Sequence, residues 1–373
     1  MRHKRRICFV TGTRAEFGLM QATLRAIKQH PNLQLQLVVT GMHLSAAHGR
    51  SINLIRQAGW KIDAIAKWQG GQTKRATAIA TGQAIATLAK TFGQLRPDVV
   101  LVVGDRVEAF AAAAAAHIAG LIVAHIHGGD RALGQIDDSL RHAISKLAHI
   151  HFPATADAGI RLLKLGEDQF RIHRVGSAVL DDIVSAAHKH PSPRDHALLV
   201  LHPTDADQLI EYRRAKMIYH AVRETGINNI VIIYPNNDPG SAGIIRCWRE
   251  CQYDPGVRIF PNIERQKYLQ LLGQAAILIG NSSSGIIEAA SLGTPVLDIG
   301  PRQRGRLISG NVLHVSDNSS QIRRALAKLW NNGKPKRYRG PNVYGRGNAS
   351  RKIADILASV AINQRLKTKL ISY

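Results

Sequence analysis

Short runs of aliphatic and β-branched residues alternate with amphipathic segments along nearly the whole chain, and this alternation restricts the fold more than any other feature. Ile7–Val10, Leu35–Val39, Val99–Val103 and Leu121–Ile126 are continuous apolar runs bounded by Gly, Pro or Asp. Each precedes a helix-like segment: Phe17–Gln29, Gly49–Ala58, Val107–Ala119 and Asp137–Ala148. A strand that is apolar at every position is covered on both faces, and strands separated by helices pair in parallel. The pattern restarts at Ala197–Leu201 and continues through Ile230–Tyr234, Val257–Phe260, Ala275–Ile279 and Pro295–Asp298. Between the two halves, Ser185–His196 holds two prolines and mostly polar residues, the composition of a linker. The expected architecture is α/β, with two Rossmann-like, doubly wound domains at residues 1–184 and 197–347 and a cleft between them. Residues 185–196 join them, and residues 348–373 form a closing helix and tail.

Composition narrows the class. With 373 residues, 45% of them hydrophobic and 20% charged, the chain can bury two cores without disulfides or metals, which excludes disordered and fibrous classes. Cys8, Cys247 and Cys251 are too few for a disulfide framework, so a reducing compartment is expected. Cys247 and Cys251 stand at helical spacing with no further zinc ligand nearby, and they read as helix packing. Ile7–Val10 is shorter than the roughly 7–15 apolar residues of a signal-peptide core. The uncharged stretch Ala109–Gly129 is mostly alanine and breaks at Gly120, so it predicts a buried helix and a strand, not a membrane span. A cytoplasmic protein without membrane insertion follows. The net charge is +24. Its basic residues are dispersed and carry no aromatic-interleaved stripe, which argues against nucleic acid and for a basic surface that suits an anionic small substrate.

In open α/β sheets, ligands bind beyond the carboxyl ends of the strands. The first such end is Thr11-Gly12-Thr13-Arg14-Ala15-Glu16, where a glycine turn opens a helix and Arg14 offers a fork of donors for phosphate. It is neither the dinucleotide fingerprint nor a P-loop, so nicotinamide and ATP readings lose support. Gly104-Asp105-Arg106 places a carboxylate and a guanidinium at a strand tip, either as base and phosphate clamp or as a structural salt bridge. His127-Gly128-Gly129-Asp130 follows the next strand, and Asp137 then starts a helix that it also suits as a cap. Asp105, Asp130 and Asp137 are thus three carboxylates on neighbouring strand ends or the loops after them, where they can divide acid and base roles. The second half supplies His202-Pro203-Thr204, Tyr234-Pro235-Asn236 and the hydroxyl-rich Gly280-Asn281-Ser282-Ser283-Ser284-Gly285, which suits a phosphate nest. Glu288, one turn later, is placed for ribose hydroxyls, and Arg302 follows the next strand.

Six motifs in this order carry a resemblance: Gly12-Thr13-Arg14-Ala15-Glu16, Gly104-Asp105-Arg106, Ile136-Asp137-Asp138-Ser139-Leu140-Arg141-His142, Tyr234-Pro235-Asn236, Gly280–Gly285 and Arg302-Gln303. From about Ile7 to about Ile362 the chain resembles the hydrolysing UDP-N-acetylglucosamine 2-epimerases of sialic-acid and related nonulosonate pathways. The resemblance implies a GT-B-like fold, with sugar chemistry on the N-terminal domain, UDP on the C-terminal domain, and Asn348–Ile362 crossing back to the first domain. It implies removal of the C2 proton, anti-elimination of UDP and hydration of the 2-acetamidoglycal, giving N-acetylmannosamine from UDP-N-acetylglucosamine. No metal or redox cofactor is implied, and a homodimer or homotetramer is.

Carried over by motif position, Arg14, Arg106, His202, Asn236, Ser282, Ser283, Glu288 and Arg302 would contact UDP, with His202 also counted in the catalytic set. Asp105 and Asp137 match the acid–base carboxylates, and His43 the sugar-side histidine. The chain departs at His125-Ile126-His127-Gly128-Gly129-Asp130, where many members read His-Ile-Glu-Gly-Gly-Glu. His127 and Asp130 are therefore both candidates for the missing glutamate's role. A histidine there also occurs in branches acting on diacetamido sugars of the UDP-diacetamido-bacillosamine type. A non-hydrolysing 2-epimerase and a GT-B glycosyltransferase are the remaining enzyme alternatives.

Overall fold

The computed structural model describes residues 4–45, 50–68, 74–131, 136–183, 196–236, 238–261, 263–331, 333 and 335–370, without the side chains of residues 15, 74, 136 and 137. The expected linker lies outside the described residues except for His196. The chain forms two compact units, Met1–Asp181 with Gly347–Tyr373, and Asp182–Arg346.

The first unit is built on β1 (Arg5–Thr11), β2 (Leu33–Thr40), β3 (Ala64–Ala66), β4 (Val99–Val103), β5 (Ile122–Ile126) and β6 (Ile150–Phe152), in the spatial order β3-β2-β1-β4-β5-β6. All neighbours pair in parallel. Along β1, Ile7 and Phe9 join the core on one face, and Cys8 and Val10 join the core on the other. Two-sided burial is why these strands read as continuous apolar runs. The described helices of this unit are α1 (Arg14–Gln29), α2 (Ile52–Gln57), α3 (Lys74–Leu95), α4 (Val107–Ile118), α5 (Ile136–Leu147) and α6 (Ala156–Lys164). Ala111–Ala116 of α4 are all buried, since methyl side chains let the helix approach the sheet and its flanking helices closely.

The second unit contains β7 (His196–Val200), β8 (Ile230–Ile233), β9 (Val257–Phe260), β10 (Ala275–Gly280), β11 (Val296–Ile299) and β12 (Val312–Val315), ordered β12-β11-β10-β7-β8-β9 and parallel throughout. Its described helices are α7 (Gln208–Glu224), α8 (Ser241–Cys251), α9 (Arg265–Gln274), α10 (Ser283–Ile287) and α11 (Ser319–Trp330). Cys247 and Cys251 are buried on α8 beside Trp248, as packing residues of this core. Each unit thus has the Rossmann strand order, with its switch point between β1 and β4 in one and between β7 and β10 in the other. The strand ends at those two points are the places to look for a ligand.

The chain's last described elements, α12 (Ala349–Ser359) and α13 (Gln364–Lys367), belong to the first unit. Thr23 on α1 and Ser350 on α12 share a hydrogen bond of 2.9 Å. Asp181 caps α12 from outside, accepting from the backbone N–H groups of Ala349 and Ser350 at 3.1 and 2.6 Å. Arg171 is buried, and its guanidinium donates to the carbonyls of Leu366, Arg365 and Thr368 at 2.7, 3.0 and 2.6 Å. No described helix is long and apolar enough to cross a membrane.

Candidate active site

At the β1 end, Thr13 caps α1 and Glu16 closes a capping box, so that its Oε2 accepts from the backbone of Gly12 (2.8 Å) and Thr13 (3.3 Å). Burial pushes the Glu16 carboxyl up to about 7 against the pull of the Gly12 N–H, and the nearby Glu108 adds to the rise. The loop lies tight over α4. A Cβ on Gly12 would stand 2.6 Å from the Glu108 Cβ, and one on Gly41 (φ +57°) would stand 2.9 Å from its Cγ. Glycine at both positions lets the loop after β1 and the turn after β2 share the space above Glu108.

His43 is fully buried in that turn. Its Nδ1 meets the Ser51 Oγ at 2.8 Å and its Nε2 meets the Thr11 Oγ1 at 3.1 Å, while burial lowers its pKa to about 4. Both ring nitrogens are thus taken by the protein, and His43 ties the ends of β1 and β2 together. The Arg14 side chain is half-buried and has no hydrogen bond or ion pair among the described residues.

At the β4 end, Asp105 forms an ion pair with Arg141 of α5, the helix that also carries Asp137. The Asp137 side chain lies outside the described residues. Arg106 is exposed, contacting the Met42 sulfur at 3.8 Å and Glu108 at 3.5 Å. Behind this loop His125 is fully buried, its Nε2 on the Gly104 carbonyl (2.8 Å) and its Nδ1 on the Ser145 Oγ (3.1 Å). Burial lowers its pKa to about 3, so the ring is neutral and fixes the turn that presents Asp105. At the β5 end, His127 Nδ1 lies 3.2 Å from Asp130 Oδ2, and its Nε2 lies 3.2 Å from the Ser177 Oγ.

In the second unit, the polar loops after β7, β8, β10 and β11 interlock. The Asn281 side chain accepts from the His202 N–H (2.7 Å) and donates to the His202 carbonyl (2.9 Å). The backbone N–H of Asn236 donates to His202 Nδ1 at 3.1 Å, and burial, aided by the charge of Arg302, lowers the His202 pKa to about 3. The neutral ring then carries its proton on Nε2, leaving a donor with no partner among the described residues. Arg302 and Gln303 donate to the Asn281 carbonyl at 3.3 and 2.8 Å. Ser282 caps α10, its Oγ 2.9 Å from that of Ser284, which also bonds the Tyr268 hydroxyl. Ser283 is half-buried at the start of α10.

Glu288 is the most informative of these residues. It is buried, and Arg265 of α9 holds its Oε1 at 2.7 Å. Its Oε2 is buried without a hydrogen-bond partner, and so are Nε and Nη2 of Arg265. Buried polar atoms are nearly always partnered, so an acceptor and two donors left over in one pair are suited to a ligand that both gives and takes hydrogen bonds, such as one bearing hydroxyls.

Sequence reasoning missed the residues that position these groups: Arg141 behind Asp105, Ser177 behind His127, and Arg265 behind Glu288. It also missed Glu211 and Arg214 in the first turns of α7. Glu211 accepts from Asp205 N–H at 2.8 Å, and Arg214 donates to the carbonyls of His202 and Ile299, both at 3.3 Å, so the pair holds the ends of β7 and β11. Two charges three residues apart on an otherwise apolar helix face were the available signal. No group of three or more His, Cys, Asp or Glu able to hold a metal occurs among the described residues.

A family model described as UDP-N-acetylglucosamine 2-epimerase matches residues 25–358. The chain belongs to this family. Among the epimerases it resembles, a UDP-N,N'-diacetylbacillosamine 2-epimerase (hydrolyzing) from Legionella pneumophila is 34% identical, over 99% of this chain and 100% of that protein. A UDP-N-acetylglucosamine 2-epimerase from Neisseria meningitidis serogroup B is also 34% identical, over 88% of this chain and 89% of its own. The crystal structure of a UDP-GlcNAc 2-epimerase from Neisseria meningitidis bound to UDP-GlcNAc superposes with a TM-score of 0.78 at 21% identity, covering 94% of this chain and 99% of that one. That likeness shows the fold: a GT-B-like pair of Rossmann-like domains.

Proposed function

We propose that this epimerase-family chain is a hydrolysing 2-epimerase that converts UDP-N-acetylglucosamine and water to N-acetylmannosamine and UDP. A base takes the C2 proton, the C–H electron pair becomes the C1=C2 bond, and the C1–O pair leaves with UDP. Water then adds its hydroxyl at C1 and a proton at C2 from the opposite face. The sequence is redox-neutral overall, so its chemistry needs no redox cofactor.

The observation that carries the nucleotide part is the buried Glu288–Arg265 pair with its three unpartnered atoms, one turn beyond the Ser282–Ser284 hydroxyls. Ribose hydroxyls fill that hydrogen-bonding deficit. Ser282, Ser283, Arg302, Asn236 and the Nε2–H of His202 take the remainder of UDP, with Arg14 and Arg106 as further cations for the diphosphate. Asp105, Asp130 and Asp137 carry the proton chemistry. Arg141 holds the Asp105 carboxylate in place through its ion pair.

A second substrate, UDP-N,N'-diacetylbacillosamine, is favoured by the likeness to the Legionella pneumophila protein, which spans essentially all of both chains. Chromatographic analysis of UDP released from each of the two nucleotide sugars, with no acceptor present, tests the proposal. Stoichiometric UDP and a free sugar are expected from at least one. UDP that stays sugar-linked while C2 inverts would point to the non-hydrolysing reaction, and release that requires an added acceptor would point to a glycosyltransferase.

A further inference from the structure

The loop after β5 presents His127 and Asp130, and Ser177, 50 residues further along the chain, meets them in a hydrogen-bonded line Ser177–His127–Asp130 in which the histidine has no nitrogen left over. Its Nδ1 is 3.2 Å from Asp130 Oδ2 and its Nε2 is 3.2 Å from Ser177 Oγ. With the Asp130 carboxylate as acceptor Nδ1 is the donor, and in that neutral tautomer the Nε2 lone pair accepts from the Ser177 hydroxyl. Ser177 is 1% exposed, which seals that end of the ring from any substrate. Asp130 differs: its side chain is 18% exposed, and its Oδ1 has no partner among the described residues.

The backbone holds the histidine in a costly conformation. His127 has φ +64°, in the left-handed region that crowds a residue with a Cβ. The turn is fixed on both sides. The His127 N–H continues the sheet by donating to the Phe152 carbonyl at 3.1 Å. Gly129 has φ +79°, a Cβ there would run into the Ala158 carbonyl, and Arg161 donates to the Gly129 carbonyl at 2.8 Å. The ring is therefore aimed at Asp130 by the fold and not by chance of rotamer.

We propose that Asp130, through Oδ1, is the proton-transfer group of this loop in the epimerisation, and that His127 and Ser177 are positioning residues that fix its carboxylate. This rests on the 2-epimerase reading above. In the transfer, the proton exchanged with the sugar sits on Oδ1 while the Nδ1–H···Oδ2 bond stays in place, and the imidazole neither gains nor loses a proton.

Two measurements on the intact enzyme test it. The first is ¹⁵N NMR of the His127 imidazole, which should show Nδ1 protonated and Nε2 bare; the reverse tautomer would overturn the line whether or not the enzyme is active. The second compares kcat and KM of H127Q, H127A, D130N and S177A with the UDP-sugar. D130N should lose kcat by about 10²–10⁴-fold, as for removal of an acid–base group. H127Q, whose amide N–H can still donate to Oδ2, should keep kcat about tenfold or more above H127A, and S177A should lower kcat less than D130N, with KM nearly constant throughout. Equal inactivity of H127Q and H127A would make the imidazole itself the proton carrier and refute the proposal. A wild-type enzyme that releases no UDP from any UDP-sugar would instead refute the 2-epimerase reading, with the tautomer measurement still deciding the line.

Discussion

Replacing Glu288 by glutamine keeps the shape of the side chain and a carbonyl oxygen for Arg265, but it removes the charge that makes Oε2 a strong acceptor. Oε2 is buried and unpartnered beside a guanidinium with two unpartnered donor atoms, so a ribose hydroxyl entering there meets groups already stripped of water. A hydrogen bond to a charged group is worth about 1.5–3 kcal/mol, which predicts a rise in the Kd for UDP of about 10- to 150-fold. Stability of the free enzyme falls too, by less than the roughly 3–5 kcal/mol of a fully buried broken pair. The discount arises because Arg265 keeps 21% of its side chain in solvent. Calorimetric titration of wild type and E288Q with UDP and with its 2'- and 3'-deoxy analogues measures the effect as a double-mutant cycle. Wild type should lose affinity for at least one deoxy analogue, and E288Q should lose little more. A folded E288Q that binds UDP as tightly as wild type, or losses that simply add, would refute the assignment of Glu288 to the ribose.

Other consequences follow from particular contacts. D105N should lower turnover by about 10²–10⁴-fold while leaving the Kd for UDP near the wild-type value, as steady-state kinetics and calorimetry would show. Wild-type turnover in a folded D105N would remove Asp105 from the chemistry. Burial alone would raise the Glu167 carboxyl, but a hydrogen bond with His151 (2.9 Å) and the ammonium groups of Lys146 (2.9 Å) and Lys369 (2.7 Å) outweigh it and hold the group at about 2. A depressed carboxyl stabilises the fold above its unfolded value, so the advantage of wild type over E167Q, about 3 kcal/mol, should be intact above about pH 4.5 and vanish as pH falls toward 2. Denaturant melts of both proteins across that window would show it, and a pH-independent difference would contradict it. R171M removes the donors that hold the carbonyls of Leu366, Arg365 and Thr368, so limited proteolysis should cut residues 363–370 much faster than in wild type. Equal cleavage would mean that α13 is held by its apolar contacts alone.

The strand-end motifs were legible because each stands where a continuous apolar run stops at glycine or a polar residue, as at Thr11-Gly12, Val103-Gly104 and Gly280-Asn281. The strand order is not written locally, yet the repeated strand–helix alternation left few alternatives. β3 (Ala64-Ile65-Ala66), β6 (Ile150-His151-Phe152) and β12 (Val312–Val315) escaped notice because they are three or four residues long, and the last two are interrupted by a histidine. Helix α3 was missed for a different reason. Its buried positions Ala80, Ala84, Leu88 and Phe92 recur every four residues, but two of them are alanines that barely raise the apolar signal. The supporting layer of the site is the part that could not be read. Arg141 reaches Asp105 from 36 positions away and Ser177 reaches His127 from 50. Only the fold makes such pairs neighbours. The engagement of His43 at both ring nitrogens and of Glu288 by Arg265 likewise depends on packing that no local spacing reports.

The most direct test of the account is NMR of the enzyme with UDP-N-acetylglucosamine, and in parallel with UDP-N,N'-diacetylbacillosamine, in deuterated water. One of them should yield UDP and a free, C2-inverted sugar carrying deuterium at C2, the label that elimination and hydration must leave. Deuterium appearing in an intact, C2-epimerised UDP-sugar, or both nucleotide sugars persisting unchanged, would contradict it.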